Sequence, residues 1–208
     1  MNASELLAKS ADKQRIVITG SQGVPFVTAL VVHVLRFHQR KVDVVRTSQP
    51  LDGTAPLTHA PILVVEGMVK PEPGWLPFNE WNHHVAVLTA MKWSPDMPFA
   101  SEEEYLKQYD AFTDRTPKGG IIVFNETDRL CSVLCNKERP DVQYVGGKAH
   151  PHEIAGNEQF LVTSQKTRIG SKIAGKHEWV WVSLAKELLK KIGITSEQFY
   201  QAFPSFTP

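Results

Sequence analysis

Long apolar runs, cysteine and excess charge are all scarce in this chain of 208 residues. No segment approaches the roughly 20 consecutive apolar residues needed to span a bilayer. Residues 1–15 are polar and mildly amphipathic, without the apolar stretch of a signal peptide. A cytoplasmic protein that does not engage membranes is expected. With 23 Lys and Arg against 22 Asp and Glu there is no overall field to attract nucleic acid, and no basic stripe is interleaved with aromatics. The two cysteines, Cys131 and Cys135, are too few for a disulfide framework and have no neighbouring ligands for zinc. Four apart on an expected helix over 127–136, they share a face and read as small, reduced, buried side chains. The pairs His83-His84 and His150-Pro151-His152 lack the convergent spacing of a metal site, so no metal is expected.

The length suits one domain over 1–208, with 1–14 as an N-terminal extension. Short runs nearly continuous in Val, Ile and Leu recur at 15–19, 62–66, 85–89, 120–124 and 142–145. Such runs mark strands buried on both faces. The predicted fold is therefore α/β, a mainly parallel sheet flanked by helices. Ser101 with Glu104 forms a capping box ahead of Tyr105, Leu106, Tyr109 and Phe112, and Thr116-Pro117 lies beyond the end of that helix. Residues 158–163 and 167–173 read as two short strands around a polar turn, a small antiparallel excursion. A helix over 178–191 follows, and Thr195 with Gln198 caps a last short helix. The Pro-rich stretch 70–77 is a surface loop between strands.

The richest local signal is the segment 16–28, a strand, a glycine turn and a helix start. Gly20, Ser21, Gln22 and Gly23 have the outline of a phosphate-binding loop. Such a loop needs a lysine to reach the β and γ phosphates, then a Ser or Thr hydroxyl for Mg²⁺. Those places hold Val24 and Pro25. Valine carries no charge, and proline has no backbone N–H to offer an anion at a helix N-terminus. A buried strand entering a helix through Gly-x-x-Gly, with Pro in the first turn, is also common in α/β proteins for structural reasons alone.

Further pieces resolve the choice by resemblance. Pro117-Lys118-Gly119-Gly120 leads to Val123-Phe124-Asn125-Glu126-Thr127-Asp128, and Gly175-Lys176-His177 precedes a helix. Ile192-Gly193-Ile194-Thr195 and Phe203-Pro204-Ser205-Phe206 close the chain. From about Arg15 onward, the order of these pieces resembles the central, ATP-binding domain of the Mur ligases, which add amino acids or peptides to UDP-N-acetylmuramate. The branch that attaches alanine or recycled murein peptide is the most similar. The resemblance implies a P-loop, Rossmann-like domain, and over these 208 residues the family's N-terminal UDP-binding and C-terminal amino-acid-binding domains are not expected.

The departures from that family fall where its chemistry is done. Val24 and Pro25 replace Lys and Thr. Glu66 keeps the family's Mg²⁺-assisting carboxylate, but the Asp-Glu pair that follows is Gly67-Met68-Val69. The Asp-His pair after the next strand reads Trp93-Ser94-Pro95-Asp96. The His-Asn-x-x-Asn whose amides meet adenine reads His177-Glu178-Trp179-Val180-Trp181. The expectation is a stand-alone, catalytically inactive Mur-ligase-like domain with no cofactor of its own, ATP and Mg²⁺ being the family's. It would act as a binding or assembly module. The alternatives are a divergent precursor ligase or one part of a split ligase.

A residual ligand cleft would use Glu66, Asp96, Asn125, Asp128 and His177, though each has a bland reading as a capped, salt-bridged or turn residue. Trp179 and Trp181 lie two apart on a helix and so point to different faces. They are candidates for a contact surface in self-association or with a protein partner. Trp75, Trp81 and Trp93 are expected in loops at the C-terminal edge of the strands.

Overall fold

A computed structural model describes residues 3–49 and 57–208. Six strands, β1 (Gln14–Thr19), β2 (Val42–Arg46), β3 (Ile62–Gly67), β4 (Val85–Leu88), β5 (Ile121–Asn125) and β6 (Gln143–Gly147), form one sheet. Their order is β2-β3-β1-β4-β5-β6 and every pairing is parallel. Each return must therefore cross over a face of the sheet. The chain leaves β1 toward β2 on one side and later places β4 on the other. The C-terminal end of β1 thus sits at the switch point of the topology, where open α/β sheets bind ligands.

Two apolar clusters sandwich the sheet. On one face α2 (Val24–Phe37), α5 (Glu178–Lys191) and α6 (Ser196–Ala202) pack on Ile16, Ile18, Val64, Val87 and Val123. On the other, α1 (Ala3–Lys9), α3 (Glu102–Asp114) and α4 (Arg129–Cys135) pack on Val17, Val65, Ala86, Leu88 and Ile122. Successive strand residues alternate between these clusters, as the period of two requires. The helix ends are written in the sequence: Ser101 accepts the Glu104 N–H at 3.2 Å, and Thr195 with Gln198 closes a full capping box. Helix α2 ends in a Schellman turn, with Arg40 N–H donating to Leu35 O and Gln39 N–H to Arg36 O.

Three elements depart from the sequence reading. Strand β2 is an additional strand; its Asp43 and Arg46 interrupt the apolar run, because Asp43 is committed to a buried ion pair with Lys13 at 3.2 Å. Lys13 also donates to the carbonyls of Thr58 and Ala60, at 2.7 and 2.5 Å. The described part of the N-terminal extension is a helix that buries Leu6 completely. The antiparallel excursion has three strands, β7 (His152–Ala155), β8 (Glu158–Val162) and β9 (Arg168–Ser171), in that order. Strand β7 is mostly exposed and carries little apolar signal. Among the described residues no helix is long and apolar enough to cross a membrane.

His83 shows how tightly the base of the sheet is closed. It is 2% exposed, lies 4.2 Å from the Phe112 ring and bonds Thr116 Oγ1 at 2.8 Å. Burial, with His84 and Arg15 adding like charge, pushes its pKa down to about 3. The unfolded chain takes up this proton near the ordinary histidine value, the folded chain only near 3. The resulting stability is fully present above about pH 7 and is lost as pH falls, by roughly 1.4 kcal/mol per unit between about 6.5 and 3. Urea unfolding from pH 7.5 to 4.5 should give a declining stability whose slope flattens in His83→Gln. An unchanged slope would show that His83 is not the group responsible.

Candidate functional site

The turn from β1 into α2 reverses the chain within four residues, Gly20 to Gly23. Gly20 has φ +148 and Gly23 φ +79, and Gly23 is the residue from which α2 starts. A Cβ at Gly20 would lie 2.2 Å from Thr89 Oγ1, because the turn is drawn tightly against the end of β4. Ser21 N–H donates to Ala90 O at 2.9 Å, and Lys92 N–H donates to Ser21 Oγ at 3.0 Å. The Thr89 hydroxyl donates to Gln22 O at 2.6 Å, with Thr19 O at 3.2 Å. The turn is thus held by backbone and hydroxyl bonds from the neighbouring strand.

Asn125 and Asp128 belong to the same network. Asn125 Nδ2 donates to Thr89 O at 3.1 Å, and its Oδ1 accepts from the Thr127 N–H and hydroxyl, at 3.0 and 2.6 Å. Asp128 caps α4 through Leu130 and Cys131 N–H, at 2.9 and 3.1 Å, and its second oxygen accepts Met91 N–H at 2.8 Å. Asn125 through its amide donor and Asp128 through its second oxygen tie the end of β4 to the end of β5 and the segment after it, and their remaining acceptor oxygens are spent on local backbone and hydroxyl groups. Beneath the turn, Thr19 Oγ1 bonds Tyr109 OH at 3.2 Å, and the buried Tyr105 OH has no hydrogen-bond partner among the described residues.

Glu66 is the penultimate residue of β3, beside Ile18, and is 2% exposed. Its carboxylate accepts the Ser48 hydroxyl and faces Arg46 Nε at 3.7 Å. Asp96 and His177 stand apart from this group, and both are exposed. Asp96 accepts from Ser94, a bond that holds its pKa below the usual carboxylate value. His177 precedes α5 without a side-chain cap, while Glu178 turns back to accept Gly175 N–H at 2.9 Å. Of the five cleft candidates, two are joined to the glycine turn, one lies on the adjacent strand β3 with its own partners, and two are at the surface.

The feature that the sequence reading missed is the seating of Trp181 on the glycine turn. A Cβ at Gly23 would lie 2.2 Å from Trp181 Cε2 and 2.4 Å from its Nε1, so the indole rests directly on the glycine turn. Phe26 packs beside it, ring centres 5.6 Å apart. The expected contact surface is corrected accordingly. Trp179 is fully buried, stacked on His152 at 4.7 Å with its Nε1–H donated to Gln159 Oε1 at 2.8 Å. Trp181 is half-buried and occupied by the turn, and Trp81, expected in a loop, is completely enclosed. The i and i+2 spacing did put the two α5 tryptophans on different faces, but both faces are covered, one by the β7–β8 hairpin and the other by Gly23 and Phe26. Only the pairing of α2 with α5 brings Trp181 to the turn, and nothing local in the sequence signals it.

A parallel sheet with a glycine turn and helix at its switch point is the arrangement of nucleotide-binding α/β domains. The six parallel strands, flanking helices and separate three-stranded antiparallel sheet together are the fold of the Mur ligase central domain. The structure superposes on the UDP-N-acetylmuramate:L-alanyl-gamma-D-glutamyl-meso-diaminopimelate ligase of Neisseria meningitides with TM-score 0.75 and 14% identity, covering 98% of this chain and 69% of that one. MurF from Acinetobacter baumannii gives 0.74 and 12%, covering 97% of this chain and 48% of that one. The folylpolyglutamate synthase of Mycobacterium tuberculosis, solved with ADP and AMPPCP, gives 0.70 and 15%, covering 100% and 62%. The chain therefore spans between about half and two thirds of these neighbours. No protein-family model matches the sequence, and no curated protein matches it by sequence.

Gly23→Ala should lower stability by at least ~1–2 kcal/mol, from the left-handed backbone alone, and by more through collision with the indole. In a Trp181→Ala background the collision part disappears, so a double-mutant cycle in urea should give a coupling above about 0.5 kcal/mol. Equal costs of Gly23→Ala in both backgrounds would mean that the indole does not bear on the turn in solution.

Proposed function

We propose that this chain is a Mur-ligase-like module that does not turn over ATP and works by binding or assembly, in connection with cell-wall metabolism. The observation that carries this reading is the Trp181 indole seated on Gly23, next to Val24 and Pro25 at the start of α2. Phosphoryl transfer leaves the protein mainly positioning and charge stabilisation to perform. Each electrostatic group at such a site is worth about 3–4 kcal/mol of barrier, and here a lysine, a metal-orienting hydroxyl and an amide donor are replaced together. Glu66, the carboxylate that in the resembling ligases assists Mg²⁺, is engaged by Ser48 and Arg46. These features argue against ATP and Mg²⁺ as cofactors.

A partner, either a second copy or another protein, belongs to the same proposal. Trp81 and Trp179 are fully buried and do not contribute to its surface. The exposed large apolar side chains among the described residues are Phe37, Val133 and Ile154. The competing reading, a divergent ligase or one part of a split ligase, is favoured by Glu66 at the C-terminal edge of the sheet and by coverage of 48% of the MurF chain.

Titration calorimetry with MgATP should give no saturable heat, and a coupled assay no ATP turnover. Micromolar binding or measurable turnover would defeat the proposal in favour of its rival. The triple change Val24→Lys, Pro25→Thr, Trp181→Asn should then gain phosphate affinity, because it returns charge and hydroxyl and removes the indole. No gain would mean that the turn, pinned by Thr89 and Ser21, cannot cradle an anion even when uncovered.

A further inference from the structure

A groove of about 490 Å³ runs along the outer face of α2, within the range of small-molecule pockets. Residues 29, 32, 33, 36 and 37 recur at helical spacing and form one wall, while Arg46 at the end of β2 and Phe206 near the C-terminus form the other. Three basic side chains, His33, Arg36 and Arg46, meet there, and among the described residues no carboxylate lines it. Arg46 spends its Nε toward Glu66. Arg36 is exposed and has no ion pair or side-chain hydrogen bond among the described residues. Its position in the last helical turn also suits the helix dipole, but that contribution leaves the five-donor fork uncommitted.

The apolar half of the groove is equally specific. Phe37 is 48% exposed, an unusual state for phenylalanine. It is one member of a row of rings. Trp181 and Phe26 lie 5.6 Å apart, Phe26 and Phe206 5.4 Å, Phe206 and His33 5.6 Å, and His33 and Phe37 6.3 Å. His33 is fixed within this row because its Nε2–H donates to Ala202 O at 3.0 Å. An aromatic wall held rigid by its neighbours, beside an uncommitted guanidinium, matches a ligand with a flat apolar body and an anionic head.

We propose that this groove is a binding site for an amphipathic anion, an aryl or alkyl phosphate or carboxylate, with Arg36 and Arg46 taking the head and Phe37 the body. The site is separate from the glycine turn, and the inference does not depend on the fate of ATP there. The test is a titration of the ¹⁵N-labelled full chain with phenyl phosphate and with benzoate, using inorganic phosphate and benzyl alcohol as controls. At least one aromatic anion should give saturable shifts centred on residues 29–37, 46 and 206–207, at least tenfold tighter than either control; the tighter of the two identifies the head group. Arg36→Glu should weaken this binding at least tenfold, and Phe37→Ser should weaken it while the melting curve is retained, so the second variant decides the matter if the first fails to fold. Shifts centred elsewhere, inorganic phosphate binding as tightly as the aromatic anions, silence from both anions, or binding indifferent to both substitutions would each overturn the assignment.

Discussion

The central strand β1 must turn into α2 over four residues while lying between two parallel neighbours, and that constraint organises everything at the C-terminal edge of the sheet. Gly20 has to pass within touching distance of Thr89, and only a residue without a side chain does so. Once the turn is that close, its polar groups are satisfied by the end of β4 rather than by solvent. Asn125 and Asp128 then extend the same bonding to β5 and α4. Polar side chains that could have faced a ligand are spent on holding strand ends in register.

At the same edge the start of α2 is covered by side chains rather than open to solvent. A helix N-terminus favours anions through its free N–H groups and its dipole. In this chain the first turn of α2 contains a proline, and the approach is covered by a tryptophan from α5. Val24 is buried in the core that supports both helices. An apolar contact at this place stabilises the ligand-free fold, whereas a charged group there would act only with an anion bound. The row of rings from Trp181 to Phe37 continues that packing along α2 to the groove with its two arginines.

Local chemistry was read accurately wherever it is short-range. The capping groups Ser101, Asp128 and Thr195 sit where their side chains meet backbone N–H groups two or three residues on. Five strands of the sheet were legible because burial on both faces demands unbroken apolar runs. Strand β2 was not, since Asp43 and Arg46 are polar for reasons that lie across the sheet, in Lys13 and Glu66. Strand β7 was hidden because an exposed edge strand needs little apolar character.

By itself the sequence determined the fold class, the capped starts of α3 and α6 and the placing of Val24 and Pro25 after a glycine turn, because each depends on the identity of residues at fixed local spacing. Only the tertiary structure decided which side chains share a site. Trp179 and Trp181 are two residues apart, yet one is stacked under a hairpin and the other lies on Gly23, 158 positions away in sequence number. Glu66 and Asn125 occupy ends of strands separated by β1 and β4, and each is satisfied by its own neighbours. The physical reason is that periodicity fixes the face on which a side chain emerges, whereas the element covering that face is set by how helices pack across the sheet.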